Sequence, residues 1–565
     1  MATDDTPPTD PELSVVDAGH SSSAKAGVRP YLIARIHRHW QELTAASLAL
    51  GVLVALSYCR LLAARSARWP GHADPAFYFN VAQNIDAGRG ATTNYVWEFL
   101  SPSSHVSHYA FGYWLPLPSL LMSVGLKFGN GFTAALNTNI LMTVLMAIGT
   151  YLLARCFVRS PWLPAAAALI VLVQPGTSQF AMQSEGAVYL AAFATLAMAA
   201  AIGARNRMWL WPVTGFLAGL ANLSRSEGLL LILALLLASL VWDERGRWFT
   251  RSGGLIGGYL IPMLPLFVVS MRHTGSPLPP AGSNFPFITT YEDLFALHVD
   301  HSLNAFLGGS WGAFASLRLT TLASQLATAL ATLTAPDAVI LIALSGVLLI
   351  SVKSPIAGNG MAGVRRFRQS NWLVPVAFAS AIYLFDALVA PVVSGAGAMI
   401  KVMVTLTAPL VVAGVTGLDR LNLKTWSQLL LCVALVAFPL QNLNTISKRI
   451  VATNNAIGDS AARLKGDLRR EQACLSRPLV LMTRNPWEIT QTTGFPTVQI
   501  PNGSLDDILF VARKYGATDL FWSEKRAALT PLAALLEPGG PIEPSLLSQK
   551  HRVYRLTATV GKVLC

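Results

Sequence analysis

The residues best suited to chemistry stand just beyond the first apolar run. In ADPAFYFNVAQNIDAGRG (residues 73–90), Asp74 precedes Pro75, and Tyr78, Asn80 and Asn84 follow at helical spacing before a Gly-Arg-Gly turn. A carboxylate held at a membrane face can accept the proton of an attacking hydroxyl. It can equally cap the helix that Pro75 opens. The two roles are compatible, since a cap also fixes the carboxylate. Two cations suit an anionic group, Arg272 at the end of one apolar run and Lys401 at the start of another, after the small-residue loop SGAGAM. Snorkelling to headgroups is the competing reading of both. His105 and His108 offer titratable rings, or simply solvated and capping ones. Glu185 and the pair Arg225 and Glu227 lie in two SEG contexts at span ends, where ionisable groups are costly and often functional. A local ion pair is the plainer account of Arg225 and Glu227. Asp386 lies within an apolar run and receives no role. Asp74, Glu98 and His105 supply oxygen and nitrogen donors compatible with a divalent cation, but in no signature spacing.

Positioning these groups falls to membrane spans. Hydrophobic residues make up 53% of the chain and charged residues 13%, with a mean hydropathy of +0.47. A soluble core cannot absorb that much apolar surface. Apolar runs predict spans near 44–62, 132–154, 161–174, 184–203, 208–223, 228–242, 254–271, 337–352, 372–391, 400–416 and 427–440, about eleven in all. Basic residues follow every second run: Arg155 and Arg159, Arg205 and Arg207, Arg245 and Arg247, Arg365 and Arg366, Arg420 and Lys424. That alternation predicts a cytoplasmic N-terminus and an extracytoplasmic C-terminus in the cytoplasmic (inner) membrane. The net charge of +13 is scattered through these loops and forms no stripe, which argues for membrane lipids as partners and against nucleic acid.

Residues 1–43 read as a disordered cytoplasmic tail, residues 44–441 as a transmembrane catalytic domain with a long first outer loop at 63–131, and residues 442–565 as an extracytoplasmic α/β domain. The first outer loop predicts short helices over 75–87 and 116–128. Within the tail, PLVLMT, SLDDILFVARKYG, DLFW and VYRL give a strand, a helix and two further strands. Cys474 and Cys565 flank that region and are expected to form a disulfide on the oxidising side. Cys59, Cys156 and Cys432 fall in or beside apolar runs, and no metal or redox cysteine spacing is present.

The acid at the start of the first outer loop, the A-x-N-x-x-x-G-x-G run after it, HYAFGYWLPLPSLL (108–121), FAMQSEGAVYLAAF (180–193), GLANLSRSEGLLL (219–231), MRHTGSPLPPAGSNF (271–285), MIKVMVTLTAPLVV (399–412) and the tail run 482–521 occur in one order. In that order they resemble the GT-C superfamily of membrane glycosyltransferases, in particular bacterial enzymes of the dolichyl-phosphate-mannose mannosyltransferase and aminoarabinose transferase type. The family's KPP-type segment is absent. The resemblance implies a helical polytopic fold of about eleven spans with outer juxtamembrane helices and a small α/β domain. It implies inverting transfer of a hexosyl or pentosyl group from a polyprenyl-phosphate-sugar donor to a lipid, glycan or protein acceptor. Asp74 would be the base, Arg272, Lys401 and His108 would meet the donor phosphate, and Tyr78, Glu98, His105, Glu185, Arg225 and Glu227 would support the site or the acceptor. No nucleotide-binding fingerprint is visible, so a lipid-linked donor is the natural source. Two other readings stand beside it. A lipid or solute transporter would show paired repeats and midplane charges, whereas the polar residues here gather at span ends. A non-catalytic envelope assembly protein differs from an enzyme in tolerating Asp74→Asn.

Overall fold

In the computed structural model, residues 23–101, 103–242, 246–297, 311–333, 342, 344–346, 367–522, 542–545, 553–557 and 559 are described. Long apolar helices dominate. They are α1 (Ser23–Ala64), α4 (Gly131–Arg155), α5 (Leu163–Val173) with α6 (Pro175–Ala181), α7 (Ala187–Ala204), α8 (Leu210–Ser224), α9 (Gly228–Val241) and α10 (Trp248–Thr274). Two short helices, α2 (Ala73–Asp86) and α3 (Leu117–Leu126), occupy the first long loop. Beyond α10 come α11 (Trp311–Leu333), α12 (Leu373–Leu384), α13 (Met399–Arg420), α14 (Thr425–Ala462) and α15 (Leu464–Cys474). Among the described residues six helices are long and apolar enough to cross a membrane, or seven if α5 and α6, bent by 59° at their junction, count as one span. This is a multi-pass membrane protein. The helices expected near 208–223, 228–242 and 372–391 are present but shorter. The run expected at 337–352 lies mostly outside the described residues.

The polypeptide alternates between two ends of the bundle. At one end the basic loops meet. Arg205 donates to Gln369 O and Asn371 Oδ1, Arg159 N donates to Asp419 Oδ2, and Arg155 pairs with Glu42 at 3.0 Å. At the opposite end lie α2, the starts of α7, α9 and α13, and the tail. Glycines let the helices close up between these ends. A Cβ on Gly215 would sit 1.9 Å from Leu255 O, and one on Gly258 2.0 Å from Pro212 O, so α8 and α10 touch backbone to backbone.

Where α1 ends, the chain is gripped from behind by the polar extension of α14. That helix continues about six turns past its apolar part. Trp69 Nε1 donates to Asp459 Oδ1 at 2.9 Å, Arg68 pairs with Asp459 at 2.6 Å, and Asn455 Oδ1 accepts from Arg68 N at 2.8 Å. Gly458 leaves the room that the Trp69 indole fills, since a Cβ there would lie 2.1 Å from Cγ. These contacts fix the entry of α2, and with it Asp74.

The tail folds around a six-stranded mixed sheet of order β2-β5-β4-β6-β8-β7. Its strands are β2 (Tyr95–Val96), β4 (Leu481–Thr483), β5 (Thr497–Gln499), β6 (Asp519–Phe521), β7 (Ile542–Pro544) and β8 (Val553–Leu556). A separate pair joins β1 (Thr92–Thr93) to β3 (His108–Tyr109). Helix α16 (Pro486–Thr493) follows β4, and α17 (Leu505–Tyr515) follows β5. Ser504 and Asp507 form a capping box at the start of α17, and Gly516, at φ 67°, ends it in the left-handed conformation. The outermost strand, β2, comes from the first long loop and pairs in parallel with β5, Tyr95 opposite Thr497. The segment after α10 meets both the first long loop and the tail, with Phe99 N donating to Leu294 O and Asn502 N to Phe295 O.

Cys474 is disulfide-bonded, whereas Cys59, Cys156 and Cys432 are free thiols. Its expected partner, Cys565, lies outside the described residues.

Candidate active site

Asp74 is not the residue that caps α2. His72 holds the N-cap position, and Asp74 lies in the first turn, where the helix dipole favours an anion. Its carboxylate turns instead toward α13. Lys401 Nζ donates to Asp74 Oδ2 at 2.6 Å and lies 3.2 Å from Glu185 Oε2. One ammonium, from α13, thus bridges two acids, one from α2 and one from the turn before α7. Side-chain exposure is 17% for Asp74, 1% for Glu185 and 21% for Lys401, so the pair opens outward only through Asp74 and Lys401.

The two acids are pushed apart in acidity. Burial alone would raise the Asp74 carboxyl, but the charge and hydrogen bond of Lys401, with Arg225 and His72 behind it, hold it below the usual aspartate value. Burial pushes Glu185 upward, and there Lys401 only partly compensates while the Asp74 charge adds to the rise. Asp74 therefore stays a carboxylate and Glu185 is the easier one to protonate. Neither oxygen of Glu185 accepts a hydrogen bond.

Around this triad stand a neutral hydroxyl and a second ion pair. Tyr78, one turn along α2 from Asp74, is buried, and burial with the nearby Asp74 charge keeps its phenol protonated. Ser184 Oγ donates to Pro75 O at 2.9 Å and ties the start of α2 to the turn before α7. Gly186 makes the same junction tight: a Cβ there would lie 2.5 Å from Ser224 O and 3.4 Å from Tyr78 Oη. Arg225 grips Glu227 through both carboxylate oxygens, at 2.6 and 3.2 Å, and Ser226 Oγ adds a third bond to Glu227. The local pair expected from the sequence is present, and its charges reach Asp74 and Tyr78.

Other expected residues lie apart. Arg272 is exposed in the last turn of α10 and, among the described residues, has no ion pair. His105 is exposed on a turn. His108 sits in β3 with Nδ1 2.9 Å from Val106 O, and burial lowers its basicity, so it is a neutral ring. Glu98 accepts from Ser101 N at 3.0 Å, and burial raises its carboxyl to about 7. Among the described residues no three His, Cys, Asp or Glu side chains converge as a metal site, and Asp74, Glu98 and His105 are not gathered into one.

One buried polar group near the core escaped the sequence reading, and another was seen there without a role. Arg60, fully buried near the end of α1, donates to Thr143 Oγ1, Leu172 O and Ser178 Oγ, filling the gap that the α5–α6 bend opens. The signal was present, since an arginine inside an apolar run demands partners. Asp386 lies in a π-helical turn, 2% exposed with Oδ2 unpartnered, close enough to Arg225 and Glu227 to feel their charges.

Against known proteins, the profile of the dolichyl-phosphate-mannose-protein mannosyltransferase family matches residues 115–271, under a third of the chain. That stretch holds Glu185, Arg225 and Glu227 but not Asp74 or Lys401. A search of curated proteins finds no match. Among solved structures, the Archaeoglobus fulgidus oligosaccharyltransferase in complex with zinc and sulfate superposes with a TM-score of 0.54 at 15% identity, over 83% of this chain and 67% of that one. ArnT from Cupriavidus metallidurans bound to undecaprenyl phosphate superposes with a TM-score of 0.50 at 16% identity, over 83% and 89%. The chain has the GT-C fold of membrane glycosyltransferases. Within this GT-C fold, the Asp74–Lys401–Glu185 group is assembled where the first long loop, the small-residue loop before α13 and the start of α7 converge.

Proposed function

We propose that the chain transfers a sugar from a polyprenyl-phosphate donor to an acceptor hydroxyl on the outer face of the cytoplasmic membrane. The observation that carries this reading is the single ammonium of Lys401 between the carboxylates of Asp74 and Glu185. A glycosyl phosphate already has a good leaving group, so the protein must receive one proton and neutralise one departing phosphate. Asp74 is ionised and partly open, which suits the proton acceptor. Lys401 is the cation nearest to it and suits the leaving phosphate, because an arriving anion competes with Asp74 for the same ammonium. As Lys401 turns to the phosphate, Asp74 loses its strongest stabilising neighbour and becomes a better base. Arg225 and Glu227 hold the wall behind Tyr78, and the Tyr78 hydroxyl can donate a hydrogen bond to the acceptor. Lys401 takes first place because it touches Asp74, and Arg272, exposed in the last turn of α10, stands second. The fold of ArnT, described with undecaprenyl phosphate bound, supports the lipid-linked donor.

The test pairs Asp74→Asn with Lys401→Gln in purified full-length protein reconstituted in lipid. Asp74→Asn should lower turnover by about 10²–10⁴-fold while binding of the polyprenyl phosphate persists. Lys401→Gln should weaken that binding by roughly 1.5–3 kcal/mol. Turnover near wild type in Asp74→Asn removes the base assignment, and unchanged lipid affinity in Lys401→Gln removes the phosphate assignment.

A further inference from the structure

A cavity of about 670 Å³ lies beyond the far end of α2, away from Asp74. Three separate parts of the chain line it: the C-terminal half of α2 with the turn after it, the loop leading into α4, and helix α16 of the tail. Its lining is unusual for a membrane protein in being rich in side-chain amides: Asn80, Gln83, Asn84, Asn94, Asn130 and Gln491. One acid and one base complete it, Asp86 and Arg89, and both are engaged. Asp86 pairs with Lys127 at 2.6 Å, and Arg89 donates twice to Asn84 Oδ1, at 2.9 and 2.6 Å.

That chemistry selects a class of ligand. A carboxamide carries a donor and an acceptor side by side, the complement of neighbouring hydroxyls on a sugar ring. A phosphate would want free cations, and here Lys127 is paired with Asp86 while Arg89 is held by Asn84. An apolar ligand would leave the amides unsatisfied. Two groups stand ready: Gln491 Oε1 is buried without a hydrogen-bond partner while its amide nitrogen donates to Gln83 Oε1 at 2.8 Å, and Asn130 precedes α4 without making a capping bond to it. The volume falls in the range of small-ligand sites. Asn80 and Asp74 share α2 and lie six residues apart, about 9 Å along the axis.

We infer that this cavity is a binding subsite for a neutral glycan, holding a sugar of the acceptor distant from the hydroxyl that reacts. The assignment rests on the acceptor-side reading of Asp74, but the binding it predicts can be measured without turnover.

The test uses the full chain in lipid nanodiscs. An array of neutral and acidic oligosaccharides is probed first, and the strongest neutral binder is titrated against wild type, Gln491→Leu, Asn130→Ala and Asp74→Asn. Neutral glycans should bind, Gln491→Leu and Asn130→Ala should each lose tenfold or more in affinity, and Asp74→Asn should keep wild-type affinity. Asn130→Ala keeps the test alive if Gln491→Leu fails to fold. Capture of no neutral glycan, affinity unchanged in both cavity variants, or competition by inorganic phosphate would overturn the subsite. Loss of turnover in Asp74→Asn with glycan binding retained would support both readings. Normal turnover in Asp74→Asn with glycan binding lost in the cavity variants would sink the base and leave the subsite standing.

Discussion

Replacing Lys401 with methionine keeps the length of the side chain and removes the charge that, among the described residues, touches both acids. At an effective dielectric near 20, the 2.6 Å contact to Asp74 is worth about 6 kcal/mol of gross attraction and the 3.2 Å contact to Glu185 about 5. Most of that offsets the dehydration of three charged groups. Breaking a buried pair by removing one partner costs about 3–5 kcal/mol, and the partial exposure of Asp74 argues for the lower end. The loss must depend on pH. Without the ammonium, two neighbouring carboxylates cannot both stay ionised cheaply, so at least one carboxyl rises above its unfolded value. A raised group gives its full stability below the unfolded pKa and loses it as pH rises through the folded one. The deficit of Lys401→Met against wild type should therefore be small near pH 5 and largest near pH 8. Thermal unfolding of the purified protein in nanodiscs, followed by tryptophan fluorescence at both pH values, reads it. Adding Glu185→Gln to Lys401→Met should recover much of the stability at pH 8. Equal melting of Lys401→Met and wild type at pH 8, or one deficit at both pH values, would refute the shared-cation account.

Three further outcomes follow from geometry already described. Gly186→Ala forces a Cβ to within 2.5 Å of Ser224 O and 3.0 Å of Arg225 Cγ. It should cost about 1–3 kcal/mol in a melting experiment and depress turnover further by displacing Arg225 and Tyr78. Glu98, raised from 4.5 to about 7 by burial, gives stability that is full below pH 4.5 and gone above pH 7. Glu98→Gln should accordingly match wild type in acid and be about 3 kcal/mol more stable at pH 8, and a melting temperature that shows no such divergence would discard the buried acid. Cys474→Ser should destabilise the tail by roughly 2–4 kcal/mol and expose its partner thiol to alkylation in the denatured, unreduced protein.

Much of this architecture is written in one-dimensional pattern. The alternation of basic loops is visible because each span carries its own charges, and Arg159, Arg205 and Arg420 do gather at one end of the bundle, as the alternation requires. The first-loop helices were legible within two or three residues, because Pro75 and Pro116 mark where helices can start. What the pattern could not carry is contact between distant segments. Asp74 and Lys401 are 327 residues apart, and only their common position at span ends hinted that they could meet. The extension of α14 to Ala462 was missed because its polar half has no apolar stripe of membrane length, and it owes its place to Trp69, Arg68 and Gly458. Strand β2 is two residues long, too short for any periodicity, and exists because β5 offers an edge. The amides of the cavity are ordinary surface residues until α16 closes over α2.

That short strand also sets a clock on biogenesis. Tyr95 pairs with Thr497, so the sheet edge must wait while about 400 further residues are made. At about 5–20 residues per second, the first long loop stands without its partner for roughly 20–80 seconds. Throughout that interval, Val96 and Phe99, which belong to the apolar core shared with Val498 and Leu520, have nothing from the tail to pack against. The entry of the helix carrying Asp74 likewise lacks its contacts with α14 until Trp69 and Arg68 meet Asp459. The helix carrying Asp74 is thus among the first parts to be translated, and the contacts that hold its entry are among the last to form. A chain truncated before Asp459 would lack the contacts that hold the entry of that helix.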